Sequence, residues 1–280
     1  MKRIALLLLA GTLSLFAYTD ADLDGVDDSV DRCPNTPITD IVDANGCSIK
    51  SVIVENHFDL ILGLAYNQYN YRLNSDTDTL TTSAQVDWYR GDFSMQLVTS
   101  YYNTDGDDYD RSGMNDTTLA AYYSFRNVGS VPRLNLQVGV GVIFPTYDAE
   151  YGNNNADYTG TLYLTYNIDK TTLFGGYGYT IVGDDDVEYV GSDGKTYEIR
   201  YQNVNSFNAG AGYHFNDRFY ASLSYYYADS IYEDVDAIEN LSAYGFYSID
   251  AHWFVTGNYA YGLSDTSSDN AFTLRVGYYF

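Results

Sequence analysis

The chain has 280 residues, a net charge of -24, 32 tyrosines and only 4 prolines. This acidic balance excludes a nucleic-acid-binding protein, which needs a basic surface to neutralise phosphates. The apolar content of 45% and the aromatic content of 17% exclude a disordered acidic chain, which could not contain so many residues that favour burial. Abundant tyrosine and glycine with scarce proline favour long β-strands.

The first 17 residues have the layout of a secretory signal peptide. Lys2 and Arg3 precede an apolar stretch, and Ala17 is a small residue at which a signal peptidase can cut. An N-terminal membrane anchor is the alternative interpretation. Beyond this segment no apolar run reaches the ~18 residues of a membrane-spanning helix. An exported chain enters a compartment that permits disulfides, so its two cysteines are candidates for a pair.

Residues 20–31 have the ligand spacing of a calcium-binding loop. Ca²⁺ takes about six to eight oxygen ligands, and acidic residues recur here at alternate positions around Gly25, which permits a sharp turn. A solvated acidic linker is the alternative. The predicted Ca²⁺ ligands are Asp20, Asp22, Asp24, the Val26 carbonyl, Asp28 and Asp31.

The residues that follow carry a more specific pattern. Arg32-Cys33-Pro34-Asn35-Thr36-Pro37 is followed by Val42-Asp43-Ala44-Asn45-Gly46-Cys47. With the acidic loop, residues 20–47 resemble a thrombospondin type 3 repeat of the sort found in outer-membrane protein A-type proteins. The resemblance implies calcium binding and a disulfide between Cys33 and Cys47. We refer to residues 18–50 as the calcium segment.

From residue 58 onward, stretches of about ten residues alternate apolar and polar side chains, as do strands with one apolar face. Residues 134–144 show it best. Short links alternate with long polar links, which distinguishes an up-and-down membrane barrel from a β-propeller or a lipocalin-like barrel. We therefore predict an all-β, antiparallel, transmembrane barrel of about twelve strands over residues 51–280, with ten or fourteen as alternatives because the alternation changes near residues 66–73.

The last strand and the placement of charge indicate how the barrel inserts. The chain ends in an alternating strand that closes on Phe280, and this end resembles the assembly signal of Gram-negative outer-membrane barrels, which implies insertion by the barrel assembly machinery. The six long links carry 23 acidic and 3 basic residues. Long loops face outward in such barrels, so we expect an acidic cell surface, with the calcium segment in the periplasm as a spacer or a docking module for a protein partner.

Alternation also predicts which residues face the lumen. Asp59, Asp87 and Arg275 are the charged residues directed inward, where they would set ion selectivity or form a structural ion pair. Numerous inward tyrosines either stack on sugars or fill space. Outward aromatic residues are expected to form the girdles at the two membrane interfaces.

Two function classes follow from this arrangement. The first is a narrow, cation-preferring channel for small solutes, because acidic rims concentrate cations. The second is a closed structural or surface-interaction barrel whose acidic loops bind divalent cations or lipopolysaccharide. An enzyme is not expected, because His57, His214 and His252 all fall at the side of the barrel opposite the acidic loops.

Overall fold

The computed structural model describes residues 56–69, 77–106, 110–147, 155–191 and 193–280, together with residues 20, 22, 26, 28, 31–33, 36, 42 and 45–48. The predicted signal peptide and Asp24 lie outside these residues. The chain divides into two compact units, residues 1–54 and residues 55–280.

The second unit consists of β-strands joined by turns. Among the described residues no helix combines the length and apolar character needed to cross a membrane. The strands are β1 (Asn56–Tyr69), β2 (Thr77–Arg90), β3 (Phe93–Gly106), β4 (Arg111–Met114), β5 (Thr117–Phe125), β6 (Leu134–Phe144), β7 (Asp157–Ile168), β8 (Thr171–Ile181), β9 (Val187–Val190), β10 (Thr196–Ile199), β11 (Val204–Asn216), β12 (Phe219–Ala228), β13 (Ile238–Ser248), β14 (Trp253–Gly262) and β15 (Asn270–Tyr279).

These strands form a closed antiparallel barrel. Apart from β4, the strands of the sheet pair with one another in chain order, and β1 pairs with β15 to complete the circle. Strands β4 and β5 both pair with β3, at different heights, and so share one position in the wall. Within the described residues the wall therefore has twelve strand positions, which confirms the predicted fold and strand number.

At one end of the barrel the links have two to four residues, apart from the eight-residue link between β5 and β6, and at the other end the links between wall positions have seven residues or more. We call the end with short links, such as the turn at Gly91 and Asp92 between β2 and β3, the short-turn end, and the opposite end the long-loop end. Gly91 adopts a left-handed backbone conformation with φ 62°, which a tight hairpin turn requires and which glycine adopts without steric cost.

Two links that the sequence pattern assigns to loops contain further strand. The β3 strand continues to Gly106 and pairs with β4, and the link between β8 and β11 contains a hairpin of β9 and β10. The hairpin forms because Val-Glu-Tyr-Val and Thr-Tyr-Glu-Ile favour extended backbone on either side of a turn that includes Gly194.

Side chains alternate between the two faces of the wall, with the apolar face outside. On β1 the outward Leu60, Leu62 and Leu64 are 42%, 58% and 53% exposed, whereas the inward Gly63 is buried. The pattern continues around the barrel, and the only described interruption between β11 and β12 is a register shift between His214 and Asn216. The outward face of the described strands is thus an apolar surface that no described part of the chain covers.

Candidate functional site

Along each strand, the residues that face the lumen include polar and charged side chains, whereas the alternate residues that face outward are mostly apolar. Asp59 on β1 lies directly opposite Asp87 on β2 in the strand register, and both face inward. Arg275 on β15 faces the same space from the other side of β1. The structure therefore brings together the three inward charges that alternation predicts, close to the short-turn end.

Asp87 is held by amide groups from two strands. The Gln85 side-chain amide donates to one carboxylate oxygen at 2.8 Å, and the Gln96 amide donates to the other at 3.0 Å. Asp87 is only 5% exposed. Hydrogen bonds to both oxygens compensate the loss of water around this carboxylate.

Asp59 has fewer partners than Asp87. Its Oδ1 atom is buried and accepts no hydrogen bond within the described structure, while the Tyr89 hydroxyl is within hydrogen-bonding reach of both Asp59 and Asp87. Arg275 is exposed to the lumen and donates to Gln85 Oε1 at 3.4 Å. It forms no ion pair with either carboxylate in this described region.

A cavity of about 440 Å³ lies between these charges and an aromatic wall. Phe246 and Phe254, on adjacent strands, stack with ring centroids 5.5 Å apart. Tyr244, Thr256 and Asn258 also line the cavity on this side. The cavity thus combines an apolar wall with a cluster of charged and amide groups.

Inward rings lie against glycines of neighbouring strands instead of projecting into the lumen. The Tyr122 ring covers Gly139, so a Cβ at position 139 would meet its carbons at 2.5 Å and 2.6 Å. Tyr163 covers Gly176 in the same way, at 2.8 Å. Because the absent Cβ atoms make room for the rings, the tyrosines lie on the wall and leave space within the barrel.

The three histidines lie at the short-turn end, as predicted. His57 stacks on Tyr279 at 5.3 Å, and His214 packs on Tyr220 at 4.7 Å. His252 lies in the β13–β14 turn, where its Nδ1 is 3.0 Å from the Tyr279 carbonyl. Ring packing and a backbone contact account for their positions.

Hydrogen bonds stabilise the ionised form of two carboxylates at the long-loop end, Asp229 and Asp193. The Asn205 side-chain amide and backbone N–H donate to Asp229 and lower the pKa of that carboxyl. In the β9–β10 hairpin, hydrogen bonds from the Lys195 backbone N–H and the Tyr197 hydroxyl lower the pKa of Asp193. These two carboxylates of the predicted acidic rim therefore keep their negative charge at neutral pH.

The N-terminal unit contains the disulfide that the repeat resemblance implies. Cys33 and Cys47 are joined by an S–S bond of 2.04 Å. Asp31 Oδ1 accepts the Cys33 backbone N–H at 2.7 Å, and Asp22 Oδ2 accepts the Thr36 backbone N–H at 2.5 Å. These contacts link the acidic loop to the disulfide-closed stretch.

The predicted calcium ligands are only partly described. The other oxygen of Asp22, Oδ1, is buried and has no hydrogen-bond partner in the described structure, which is the environment of an atom that could ligate a cation. Within the described residues no three acidic, histidine or cysteine side chains form a group that could hold a metal ion. Asp24, the central member of the predicted set, lies outside those residues.

Two curated proteins share short stretches of sequence with the chain. Outer membrane porin F of Pseudomonas aeruginosa is 48% identical over 42 residues, which are 15% of this chain and 12% of the porin. Alpha-agarase of Thalassotalea agarivorans is 73% identical over 30 residues, 11% of this chain and 2% of the agarase. The chain thus spans a small fraction of the relatives that it matches, and no family model matches it.

Solved structures similar to the chain share little sequence with it. The transport unit of the autotransporter AIDA-I from Escherichia coli has a TM-score of 0.47 and 11% identity, covering 83% of this chain and 92% of its own. The TodX ΔS2S3 monoaromatic hydrocarbon channel has a TM-score of 0.44 and 13% identity, covering 80% of this chain and 89% of its own. Salmonella typhi OmpF in complex with daunomycin has a TM-score of 0.37 and 10% identity, covering 81% of this chain and 97% of its own. These values support no conclusion about a transported solute.

Sequence reasoning did not single out the residues that complete the cavity. Gln85 lines the cavity beside Asp87, and Phe246 and Phe254 line it near the ends of their strands. The alternation of each strand could have placed these residues on the inner wall, since Phe254 lies between the outward Trp253 and Val255. Only the closed register shows that strands from both sides of β1 meet at one cavity.

Proposed function

We propose that the chain is an outer-membrane β-barrel that forms a narrow channel for small solutes. The observation that carries the proposal is the polarity of the closed wall, which is apolar outside and polar inside. Exposed outward side chains such as Leu62 and Leu223, the latter 62% exposed, fit a hydrocarbon environment. In water the same surface would be an aggregation hazard.

A preference for cations is the second part of the proposal. The acidic rim at the long-loop end raises the local concentration of cations, and Asp59 and Asp87 exceed Arg275 by one negative charge on the inner wall. Both features favour positive solutes along the same path, because a narrow lumen of low dielectric strengthens each charge interaction.

The calcium segment is proposed to bind Ca²⁺ and to lie in the periplasm. With the acidic long loops at the cell surface, the segment that precedes β1 enters from the opposite side. Bound Ca²⁺ and the disulfide would stiffen a spacer or a docking module for a periplasmic protein. Lipopolysaccharide around the outer rim and the barrel assembly machinery, through Phe280, complete the proposed partners. No catalytic role is proposed.

A planar lipid bilayer tests the channel. The refolded full chain is expected to give discrete conductance steps, and under a salt gradient the reversal potential is expected to have the sign of cation selectivity. A barrel that inserts, as shown by heat-dependent mobility in gel electrophoresis, but stays electrically silent would contradict the proposal. An anion-selective pore would contradict the role of the acidic residues.

One observation favours a second candidate function, the surface-interaction barrel. A cavity of about 480 Å³ near the long-loop end is lined by Asp78, Asp105 and Asp110, and the Oδ1 atom of Asp78 is buried without a partner in the described structure. Divalent cations bridging these carboxylates to lipopolysaccharide phosphates would suit this position. Mg²⁺-dependent retention of lipopolysaccharide by a silent barrel would favour this function over the channel.

A further inference from the structure

The lumen cavity near the short-turn end lacks one positive charge. It holds the carboxylates of Asp59 and Asp87 and the guanidinium of Arg275, a net charge of -1 from two acids and one base. Arg275 bonds to Gln85 and forms no ion pair with the acids. Carboxylates on adjacent positions of two strands repel each other unless a cation compensates them.

The cavity also lacks one hydrogen-bond donor. Both oxygens of Asp87 accept amide hydrogens, whereas Asp59 Oδ1 is buried and has no partner among the described residues. An unpaired buried carboxylate oxygen costs free energy that a donated hydrogen bond recovers. A solute that brings a positively charged donor would therefore satisfy both deficits.

The part of the cavity lining formed by β13 and β14 carries two aromatic rings. The Phe254 ring covers Gly277, because a Cβ at position 277 would overlap its ring carbons. On its other side the ring stacks with Phe246 at an angle of 30°. Two stacked rings beside the carboxylates form a surface for the apolar part of a solute.

We propose that this cavity binds a small solute in which a primary ammonium group is attached to an apolar body, such as an aromatic or alkyl amine. An ammonium group has three donors and a compact charge, and it would reach Asp59 while the apolar body contacts Phe254. The cavity volume of about 440 Å³ lies within the range of small-molecule sites, about 300–1,000 Å³. A neutral sugar would leave the carboxylate charge uncompensated.

The inference deepens the proposed channel function and relies on it for the route by which the amine enters. It predicts that the amine is a permeating solute or a blocker of the same lumen. Binding to the cavity can nevertheless be measured on a barrel that does not conduct, which separates the two proposals.

Titration calorimetry on the refolded full chain in detergent tests the binding. The probes are benzylammonium, its neutral isostere benzyl alcohol, methylammonium and glucose. We expect benzylammonium to bind at least about tenfold more tightly than each of the other three, corresponding to about 1.4 kcal/mol. Equal affinity for benzyl alcohol, or tighter binding of glucose, would overturn the proposal, the latter in favour of a polyol site.

Two variants separate the charged and apolar contacts. Asp59→Asn is expected to weaken benzylammonium binding about tenfold without changing benzyl alcohol binding, and Phe254→Leu to weaken it severalfold without changing the weak binding of methylammonium. The matched controls are Asp217→Asn, in the β11–β12 turn at the same end, and Phe272→Leu, on the outer wall. Equal losses in the controls would show that the binding lies elsewhere and overturn the inference.

Bilayer recordings then relate the site to the channel. Benzylammonium is expected to interrupt the current through the wild-type barrel, and Asp59→Asn to shorten the interruptions. A cation-selective pore that the amine neither enters nor binds would overturn this inference and leave the channel proposal standing. Binding of benzylammonium, measured by calorimetry, to a barrel that does not conduct would contradict the channel proposal and support the amine site.

Discussion

Glycine positions on the inner wall decide how much open space the barrel contains. Tyr122 and Tyr163 lie flat because Gly139 and Gly176 provide no Cβ beneath their rings. Glycine on the outer wall has a different setting, since a Cβ at Gly160 would meet nothing within 4 Å. Inner-wall and outer-wall glycines cannot be distinguished by residue type, because they differ only in the face of the wall on which they lie.

Alanine at an inner-wall glycine is therefore expected to destabilise the barrel. Gly139→Ala would displace the Tyr122 ring and the Thr161 hydroxyl, and overpacking of this kind costs about 1–3 kcal/mol. Gly160→Ala, on the adjacent strand, is the matched control and should change stability by less than about 0.5 kcal/mol. Urea unfolding in lipid vesicles measures both, and equal effects would show that the ring is free to move.

Asp22 is the residue through which calcium binding is best tested. One of its oxygens holds the Thr36 backbone and the other is buried without a partner in the described structure. Asp22→Asn is expected to weaken Ca²⁺ binding to the full chain by about tenfold or more, because Ca²⁺ affinity depends on the number of ligand charges.

The control for calcium binding is Asp193→Asn in the β9–β10 hairpin, which removes an equal charge from the barrel unit. Calorimetry with Ca²⁺ compares the two variants with the wild type. No heat from the wild-type chain, or the same loss in both variants, would contradict a calcium site in this segment.

Among the strands, the pair β1 and β15 determines whether the barrel closes. Phe280 extends this pairing beyond β15, since its backbone N–H and carbonyl both bond to Phe58, at 2.9 Å and 2.8 Å. The two rings also stack, with centroids 5.7 Å apart. The terminal residue thus contributes to the closing strand pair by backbone and side chain together.

Removing the terminal ring should weaken this closure. Phe280→Ala keeps the backbone bonds but loses the stacking, which contributes about 0.5–1.5 kcal/mol beyond the buried area. Slower assembly is the expected result, measured as the fraction of folded, heat-modifiable protein over time. Phe272→Ala, an outward phenylalanine on the same strand, should assemble at a rate closer to wild type, and identical rates would argue against a special role for Phe280.

The β13–β14 turn depends on one ionised carboxylate. The backbone N–H groups of His252 and Trp253 donate to Asp250 at 2.8 Å and 2.9 Å and lower the pKa of that carboxyl. A lowered folded pKa gives stability that is present above the ordinary aspartate pKa and is lost as the pH falls through the folded value.

Asp250→Ala should therefore unfold at lower urea concentration than the wild type at about pH 7, and the gap should narrow below about pH 4. The control is Asp217→Ala in the β11–β12 turn, where the backbone N–H groups of Arg218 and Phe219 donate to the uncharged Asn216 side chain instead. A gap that stays constant between the two pH ranges would show that the carboxylate charge is not what stabilises the turn.

Alternation predicted the strands well because a lipid-facing wall requires every second residue to be apolar. It placed Asp59, Asp87 and Arg275 on the inner wall. The β9–β10 hairpin was missed because its strands have four residues each, too short for periodicity to be read. The contact of Phe254 with Gly277 depends on which strands become neighbours, and that information lies in the closed register.

Across the whole molecule, negative charge occurs at two depths of the proposed path. The acidic rim is exposed to solvent, whereas the carboxylate pair lies on the inner wall, where Asp87 is only 5% exposed. Salt screens exposed charges over about 10 Å at 0.1 M and about 3 Å at 1 M, and screens enclosed charges much less. The two proposed sources of cation preference should therefore differ in their response to salt.

Reversal potentials at low and high salt should separate these two contributions. At about 0.1 M, neutralising rim residues by Asp184→Asn, Asp185→Asn and Asp236→Asn together should reduce cation preference, but at about 1 M it should have little further effect. The pair Asp59→Asn and Asp87→Asn should reduce the preference at both concentrations, because these carboxylates act at short range inside the lumen. Asparagine keeps a hydrogen-bond acceptor at each position, so loss of charge is the main change. A preference that the rim variant abolishes at 1 M, or that the lumen variant leaves intact there, would show that ions select at the loops and not at the carboxylate pair.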